Sequence, residues 1–387
     1  MNNKNISSRK VLCVSVMQTR GGGEEFLLML NRNVKDYYFT IVSPEGEASG
    51  YFEDKGMKTI KVNSLKKIYR GSGWNLSSFF RIIFNIKIST FRLLSILKKE
   101  RPGLILANGL FAALYVLPSA VLSGKRFIVV QHLIFDENSV ERKVLKQIYR
   151  YTKKIICVSN AVKENVLRML EVPDSDKIVF IPNGIAVPGP EAVIKKPDGV
   201  VNIGMAGTII RIKGIHLVIE ALKDGLKMNN LNFYVYGSTS NDEDSVKYKS
   251  ELMEMIRNYG IGDKVILKGH IDSRDEIYSS LDIVVNFSII PEALPFSVLE
   301  AMSYKKIIIA ADAGGSKEII TDTENGFLVE PGNIGLLKEK IGYCIRNINS
   351  GSFNQVREKA YESVKNQYSV EKFAANYINL FKSLLKS

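Results

Sequence analysis

Cysteine and histidine are scarce in this chain, three of each among 387 residues. Cys13, Cys157 and Cys344 form no pair with zinc-ligand spacing. An odd, sparse set excludes a disulfide framework and fits a reducing compartment. With no cluster of His, Cys or Asp, a bound catalytic metal is not expected. Neither G-x-S-x-G nor a Walker A sequence occurs, which sets aside the hydrolase elbow and the P-loop. Long apolar runs are missing as well. The N-terminal "MNNKNISSRKVLCVSVM" lacks the apolar stretch of a signal peptide. The uncharged run from Gly103 to Gly124 approaches the ~20 residues of a membrane span. However, Asn108-Gly109 divides it into a short buried strand and a buried helix, and Pro118 interrupts the remainder.

Acidic residues are nearly absent from one segment. Between Lys58 and Arg101, eleven Lys and Arg residues meet only Glu100, within a chain of formal charge +13. Such a patch calls for an anionic partner: a membrane surface, nucleic acid or a phosphorylated substrate. Its core, "WNLSSFFRIIFNIKISTFRLLSILKKERP", is apolar with cations threaded through it and is too charged to span a bilayer. It reads either as a sheet-covering helix with a basic outer face, or as a contact that dips Trp74, Phe79 and Phe80 into anionic lipid.

What is abundant is alternation. "KVLCVSVM", "YYFTIVSP", "LILANG", "RFIVVQH", "KIICVSN" and "KIVFIPN" are short β-rich runs separated mostly by helical stretches. This is the pattern of an α/β, mostly parallel sheet covered on both faces. The proline-rich "NGIAVPGPEAVIKKPDG" reads as an interdomain linker. The alternation then resumes with "VNIGMAG", "NFYVYGS", "KVILKGH", "DIVVNFS", "KIIIAAD" and "GFLVEPG". The expected organisation is a doubly wound domain over residues 1–190 and a second over 200–369. The amphipathic helix 370–387 is expected to pack back on the first.

Ligands of such sheets sit at the carboxyl ends of strands, so residues there are the candidates. "PEALPFSVLE" follows the strand "DIVVNFSII" and spaces Glu292 and Glu300 by seven residues. Pro295 suits a helix start, and the N–H groups of Leu294, Phe296 and Ser297 would make an anion site. Glu292 can reach sugar hydroxyls, and Glu300 can accept both hydroxyls of a ribose. Arg211 and Lys213 lie where a strand ending at Gly207 gives way to a helix, as cations for a diphosphate. Gly314-Gly315 permit tight turning. "QTRGGGEEF" holds the place of a phosphate loop, but G-x-G-x-x-G is unmatched and no acidic residue ends the second strand, which rules out the dinucleotide fingerprint. His132 ends "RFIVVQH", and His270 ends a strand of the second half.

In combination and order, "GGGEEFLLML", "ICVSNAVKENV", "IPNGI", "AGTIIRIKGIHLVIEAL", the Glu292–Glu300 segment, "DAGGSKEII" and "NGFLVEPGN" resemble the retaining glycosyltransferases of family 4. That resemblance implies the GT-B fold, two Rossmann-like domains facing a central cleft. It implies a nucleoside diphosphate sugar, UDP- or GDP-linked, held by the second half, an acceptor held by the first, and no metal or other cofactor. Lys213 matches the diphosphate lysine, Glu300 the ribose glutamate, Glu292 the glutamate near the transferred sugar, and His132 the histidine contacting that sugar. Gly22 and Gly23 match the loop over the diphosphate. Gly207, Thr208, Gly237, His270 and Ile271 fall in the donor-binding segments. Three positions depart from the family: Thr208 stands where an arginine is common, Ala293 where a glycine is, and Ala186 where an aspartate is. Arg211 is the expected substitute for the missing arginine.

The expected function is sugar transfer to a glycan or lipid-linked glycan hydroxyl in bacterial surface polysaccharide synthesis. The setting would be cytoplasmic or peripheral on the inner membrane face, without nucleic acid. A GT-B epimerase or hydrolase, and a non-catalytic basic binding protein, are the alternatives.

Overall fold

The apolar runs form two parallel sheets in a computed structural model that describes residues 9–66, 76–189, 199–227, 230–240 and 242–385, without the side chains of 76–79. The chain divides into two units, Met1–Gly184 with Val370–Ser387, and Ile185–Ser369.

The first unit carries β1 (Lys10–Val14), β2 (Tyr38–Ser43), β3 (Lys58–Lys61), β4 (Leu104–Asn108), β5 (Phe127–Gln131), β6 (Lys154–Cys157) and β7 (Ile178–Phe180) in the order β3-β2-β1-β4-β5-β6-β7, all parallel. Strands β4 and β5 are buried at every residue, as expected of strands covered on both faces. Helix α1 (Gly22–Asn33) follows β1, α2 (Glu47–Asp54) follows β2, and α3 (Leu76–Glu100) leads from β3 to β4. The uncharged run becomes strand β4 and helix α4 (Leu110–Ser123), which contains Pro118. Helices α5 (Val140–Tyr151) and α6 (Asn160–Leu170) complete the winding. Among the described residues, no helix is long and apolar enough to cross a membrane. Trp74 lies outside the described residues, as does the Phe79 side chain; Phe80 is exposed.

The second unit carries β8 (Val201–Ala206), β9 (Leu231–Tyr236), β10 (Val265–Gly269), β11 (Ile283–Asn286), β12 (Ile307–Ala311) and β13 (Phe327–Val329), in the parallel order β10-β9-β8-β11-β12-β13. Helices α7 (Ile215–Leu226), α8 (Glu243–Tyr259), α9 (Arg274–Ser279), α10 (Phe296–Ser303), α11 (Ser316–Ile319), α12 (Ile334–Asn347) and α13 (Gly351–Gln367) fill the intervals. Its core runs from Ile203 and Phe233 to Phe327 and Phe353.

The final helix, α14 (Val370–Leu385), belongs to the first unit. It buries Phe373, Tyr377 and Phe381, and the first two pack on Phe26 of α1 with ring centroids 5.8 and 5.6 Å apart. Arg126 donates to the Leu384 carbonyl at its far end. The division between units falls earlier than the proline-rich segment suggests. Ile185 donates to the Tyr368 carbonyl and Tyr361 to the Pro188 carbonyl, which fastens the start of that segment to the second unit.

Candidate active site

In each sheet the strand order reverses once, between β1 and β4 and between β8 and β11. Loops leaving the two strands at such a reversal run in opposite directions and open a crevice between them. In the second unit those loops hold Lys213 and Glu292.

Gly207 leaves β8 with φ +148°, and its carbonyl packs so tightly on Gly237 that a Cβ there would lie 1.9 Å from the oxygen. The chain then makes a short helical turn over Arg211–Lys213. Lys213 directs its ammonium to Glu292 Oε2, and the two side chains are 23% and 21% exposed. The Glu292 carboxylate also accepts hydrogen bonds from Ser288 and, at 3.1 Å, from Asn286 Nδ2. Burial opposes its charge, but the Lys213 cation and these donors outweigh burial and hold the carboxyl below its ordinary value. Asn286 is 4% exposed and its Oδ1 has no partner among the described residues. Asn286 lines a small cleft together with Gly207, Thr208 and Lys213.

The Glu292 loop is seated on the glycine pair that follows β12. Gly315 N–H donates to the Glu292 carbonyl at 2.8 Å. A Cβ on Gly314 would come within 2.2 Å of that same oxygen, and one on Gly315 within 2.3 Å of the Ala293 carbonyl. The pair therefore supports the loop. Pro295 is the N-cap of α10, one position before the expected first turn. The N–H groups of Leu294, Phe296 and Ser297 meet no acceptor among the described residues and remain available to an anion.

Glu300 sits one turn further along α10. Arg274 Nε donates to its Oε1 at 2.5 Å and Tyr278 Oη to its Oε2 at 2.8 Å. Tyr278 is fully buried and its ring stacks on Tyr304 at 5.4 Å. Burial, and next the Glu300 charge, push the phenol well up, so it stays a donor. Both oxygens are oriented while retaining lone pairs for a diol. Arg274 and Tyr278 were missed from sequence. Their signal was the i, i+4 spacing in "RDEIY", which puts both on one face of α9.

Arg211 is placed otherwise than Lys213. Its guanidinium pairs with Glu251 of α8 and lies 4.9 Å from the Tyr248 ring centroid. The structure brings Lys213, and not Arg211, to Glu292. His270 and Ile271 follow β10, where exposed His270 pairs with Asp272 at 3.1 Å. Among the described residues no group of three His, Cys, Asp or Glu is close enough to share a metal ion.

The first unit builds its own crevice at the β1/β4 reversal. Gly22 and Gly23 form the first turn of α1. Asn108, at the end of β4, donates from Nδ2 to the Gly23 carbonyl at 3.0 Å, and its Oδ1 meets His132 Nε2 at 2.8 Å. That arrangement assigns the imidazole proton to Nε2 and leaves Nδ1 as an acceptor. Phe26 stands edge-on to the ring at 5.1 Å. Beneath the loop, Ser15 Oγ donates to buried Glu24 at 3.0 Å. Neither Ser15 nor Glu24 was among the candidates legible in the sequence.

Burial pushes His132 down to about 4 from 6.5. The unfolded chain then takes up a proton as pH falls below 6.5, while the native imidazole does not until about 4. Stability is complete above the unfolded value and declines through that window. The wild type is expected to lose about 2 kcal/mol between pH 7.5 and 5.0 from this group. His132→Gln should lack that component. Denaturant midpoints of both proteins at the two pH values measure it, and parallel declines would refute it.

Comparison with known proteins agrees with this architecture. The family model described as Glycosyl transferases group 1 matches residues 191–363, and that described as Glycosyltransferase Family 4 matches residues 21–187. Poly(ribitol-phosphate) alpha-N-acetylglucosaminyltransferase of Staphylococcus aureus is 25% identical over 305 residues, 77% of this chain and 59% of that protein. The chain spans 55–60% of the length of the first curated relatives it matches. Among solved structures, a Rickettsia africae glycosyltransferase superposes with a TM-score of 0.82 at 23% identity, covering 98% of this chain and 99% of that one. Anabaena HepE in complex with UDP superposes at 0.81 with 18% identity, covering 97% and 100%. With one family model on each unit, and a shared fold over nearly the whole length, the chain belongs to the family 4 glycosyltransferases and has the GT-B fold.

Proposed function

We propose that this chain transfers a sugar from a nucleoside diphosphate sugar, UDP- or GDP-linked, to a hydroxyl of a glycan or lipid-linked glycan, with retention at the anomeric carbon. The observation that carries this reading is the pairing of Lys213 with Glu292 at the β8/β11 reversal, beside the open N–H groups that begin α10. A diphosphate supplies the negative charge those groups lack. Glu300, held by Arg274 and Tyr278, accepts the ribose hydroxyls. Glu292, anionic at neutral pH, accepts from hydroxyls of the transferred sugar. In the first unit, neutral His132 offers Nδ1 to a sugar hydroxyl.

The acceptor oxygen attacks the anomeric carbon on the side from which the diphosphate leaves. The anomeric carbon–oxygen bond to phosphate breaks, the bond to the acceptor oxygen forms, and the acceptor proton passes to the departing phosphate oxygen. Lys213 and the α10 N–H groups stabilise the charge that develops there. Bacterial surface polysaccharide synthesis on the cytoplasmic side is the favoured setting. It is supported by the poly(ribitol-phosphate) specificity named for one relative.

Thermal denaturation with UDP, GDP, ADP and CMP tests the donor assignment. One diphosphate at about a hundred times its Kd should stabilise the protein by about 2.7 kcal/mol. No stabilisation by any of them would overturn the reading.

A further inference from the structure

The basic segment holds an apolar face that the core does not use. Helix α3 buries Ser89, Leu93 and Leu97 against the first unit. At 100° per residue these lie on one side of the helix, and positions 80, 84, 87, 91 and 98 lie on the other. That opposite side carries Phe80, Phe84 and Phe91, which are 60%, 62% and 74% exposed. Lys87 and Lys98 stand in the same stripe, and Arg81, Arg92 and Lys99 border it; all five cations are exposed. Glu100, the helix's only acid, is buried and paired with Lys58 at 2.6 Å. Phe84 and Phe91, mostly exposed in line along one helix face, leave apolar surface in water at a cost in free energy.

We propose that α3 docks on an anionic lipid surface, with Phe84 and Phe91 entering the headgroup–acyl boundary and Arg81, Lys87, Arg92, Lys98 and Lys99 lying among acidic headgroups. Charge selects this occupant. Two copies of the chain meeting through this face would set five cations against five, which argues against a symmetric dimer. A bilayer of anionic lipid meets both the phenyl rings and the cations, as an interfacial amphipathic helix requires. The sequence pointed to Trp74, Phe79 and Phe80; the exposed face of α3 adds Phe84 and Phe91.

The full chain is to be floated with phosphatidylcholine vesicles containing 0 or 30 mol% phosphatidylglycerol, at low and high salt. Binding should require phosphatidylglycerol and weaken at high salt. Phe84→Ser/Phe91→Ser should reduce the partition coefficient at least tenfold, and Arg81→Gln/Lys87→Gln/Arg92→Gln by a similar factor, with melting temperatures unchanged. Because both phenylalanines are exposed, these variants are expected to fold. No binding to anionic vesicles at low salt, or binding indifferent to both variants, overturns the proposal. So does a dimer in sedimentation that the Phe84→Ser/Phe91→Ser variant dissolves while vesicles stay unbound, or binding to single-stranded RNA with none to vesicles. None of these outcomes depends on the donor assignment.

Discussion

Replacing Lys213 by alanine is expected to lower kcat by about a hundred- to a thousandfold, the range found when one donor to a developing anion is removed. The reason is local charge. Lys213 is the cation that reaches the β8/β11 crevice, since Arg211 is taken up by Glu251 and Tyr248. Nothing else on that loop offers a positive charge to the leaving diphosphate, because Thr208 is neutral. The substitution also strips Glu292 of its ion-pair partner, so the carboxyl should titrate at higher pH than in the wild type. Loss of that charged hydrogen bond should cost about 2 kcal/mol of stability at neutral pH. The companion substitution separates the two roles. Glu292→Gln leaves the ammonium free for phosphate, so nucleoside diphosphate binding should persist while sugar transfer falls. Measuring nucleotide affinity and turnover on both variants is decisive. A Lys213→Ala protein with wild-type affinity and turnover would reduce the pair to a structural ion pair.

Gly314→Ala is expected to destabilise the second unit strongly, through both backbone conformation and steric clash. Its φ of +56° is a left-handed conformation that costs an alanine about 1 kcal/mol or more. The new Cβ would also meet the Glu292 carbonyl oxygen at 2.2 Å, and overpacking of this kind costs about 1–3 kcal/mol. The sum, about 3 kcal/mol, should lower the melting temperature by several degrees. Gly315→Ala is the control, because its φ of −66° suits alanine while its Cβ still meets the Ala293 carbonyl at 2.3 Å. It should lose the steric part alone. Both should displace the Glu292 loop and reduce turnover beyond any loss of folded protein. A Gly314→Ala protein with wild-type melting and kinetics would show that the loop does not rest on this pair.

The alternation of short apolar runs with helical stretches was enough to fix two parallel sheets, because strands buried on both faces must be apolar throughout and each parallel pair needs a crossover. Glu292, Lys213 and His132 were legible for the same reason: they stand where strands end, and ligands of open α/β sheets gather there. Sequence also showed that the segment around α3 mixes cations with phenylalanines. Only the tertiary structure decided which of them face outward, because Leu93 and Leu97 take the core side and leave Phe84 and Phe91 opposite. It likewise decided that Lys213 meets a glutamate 79 residues away while Arg211 turns to α8. Arg274 and Tyr278 clamp Glu300 from a different helix, and the Gly314-Gly315 pair lies under the Glu292 loop. These outcomes share one cause. Periodicity reports the environment of a residue along its own element, whereas partners are set by strand order, and the reversal between β8 and β11 joins loops that are distant in the chain.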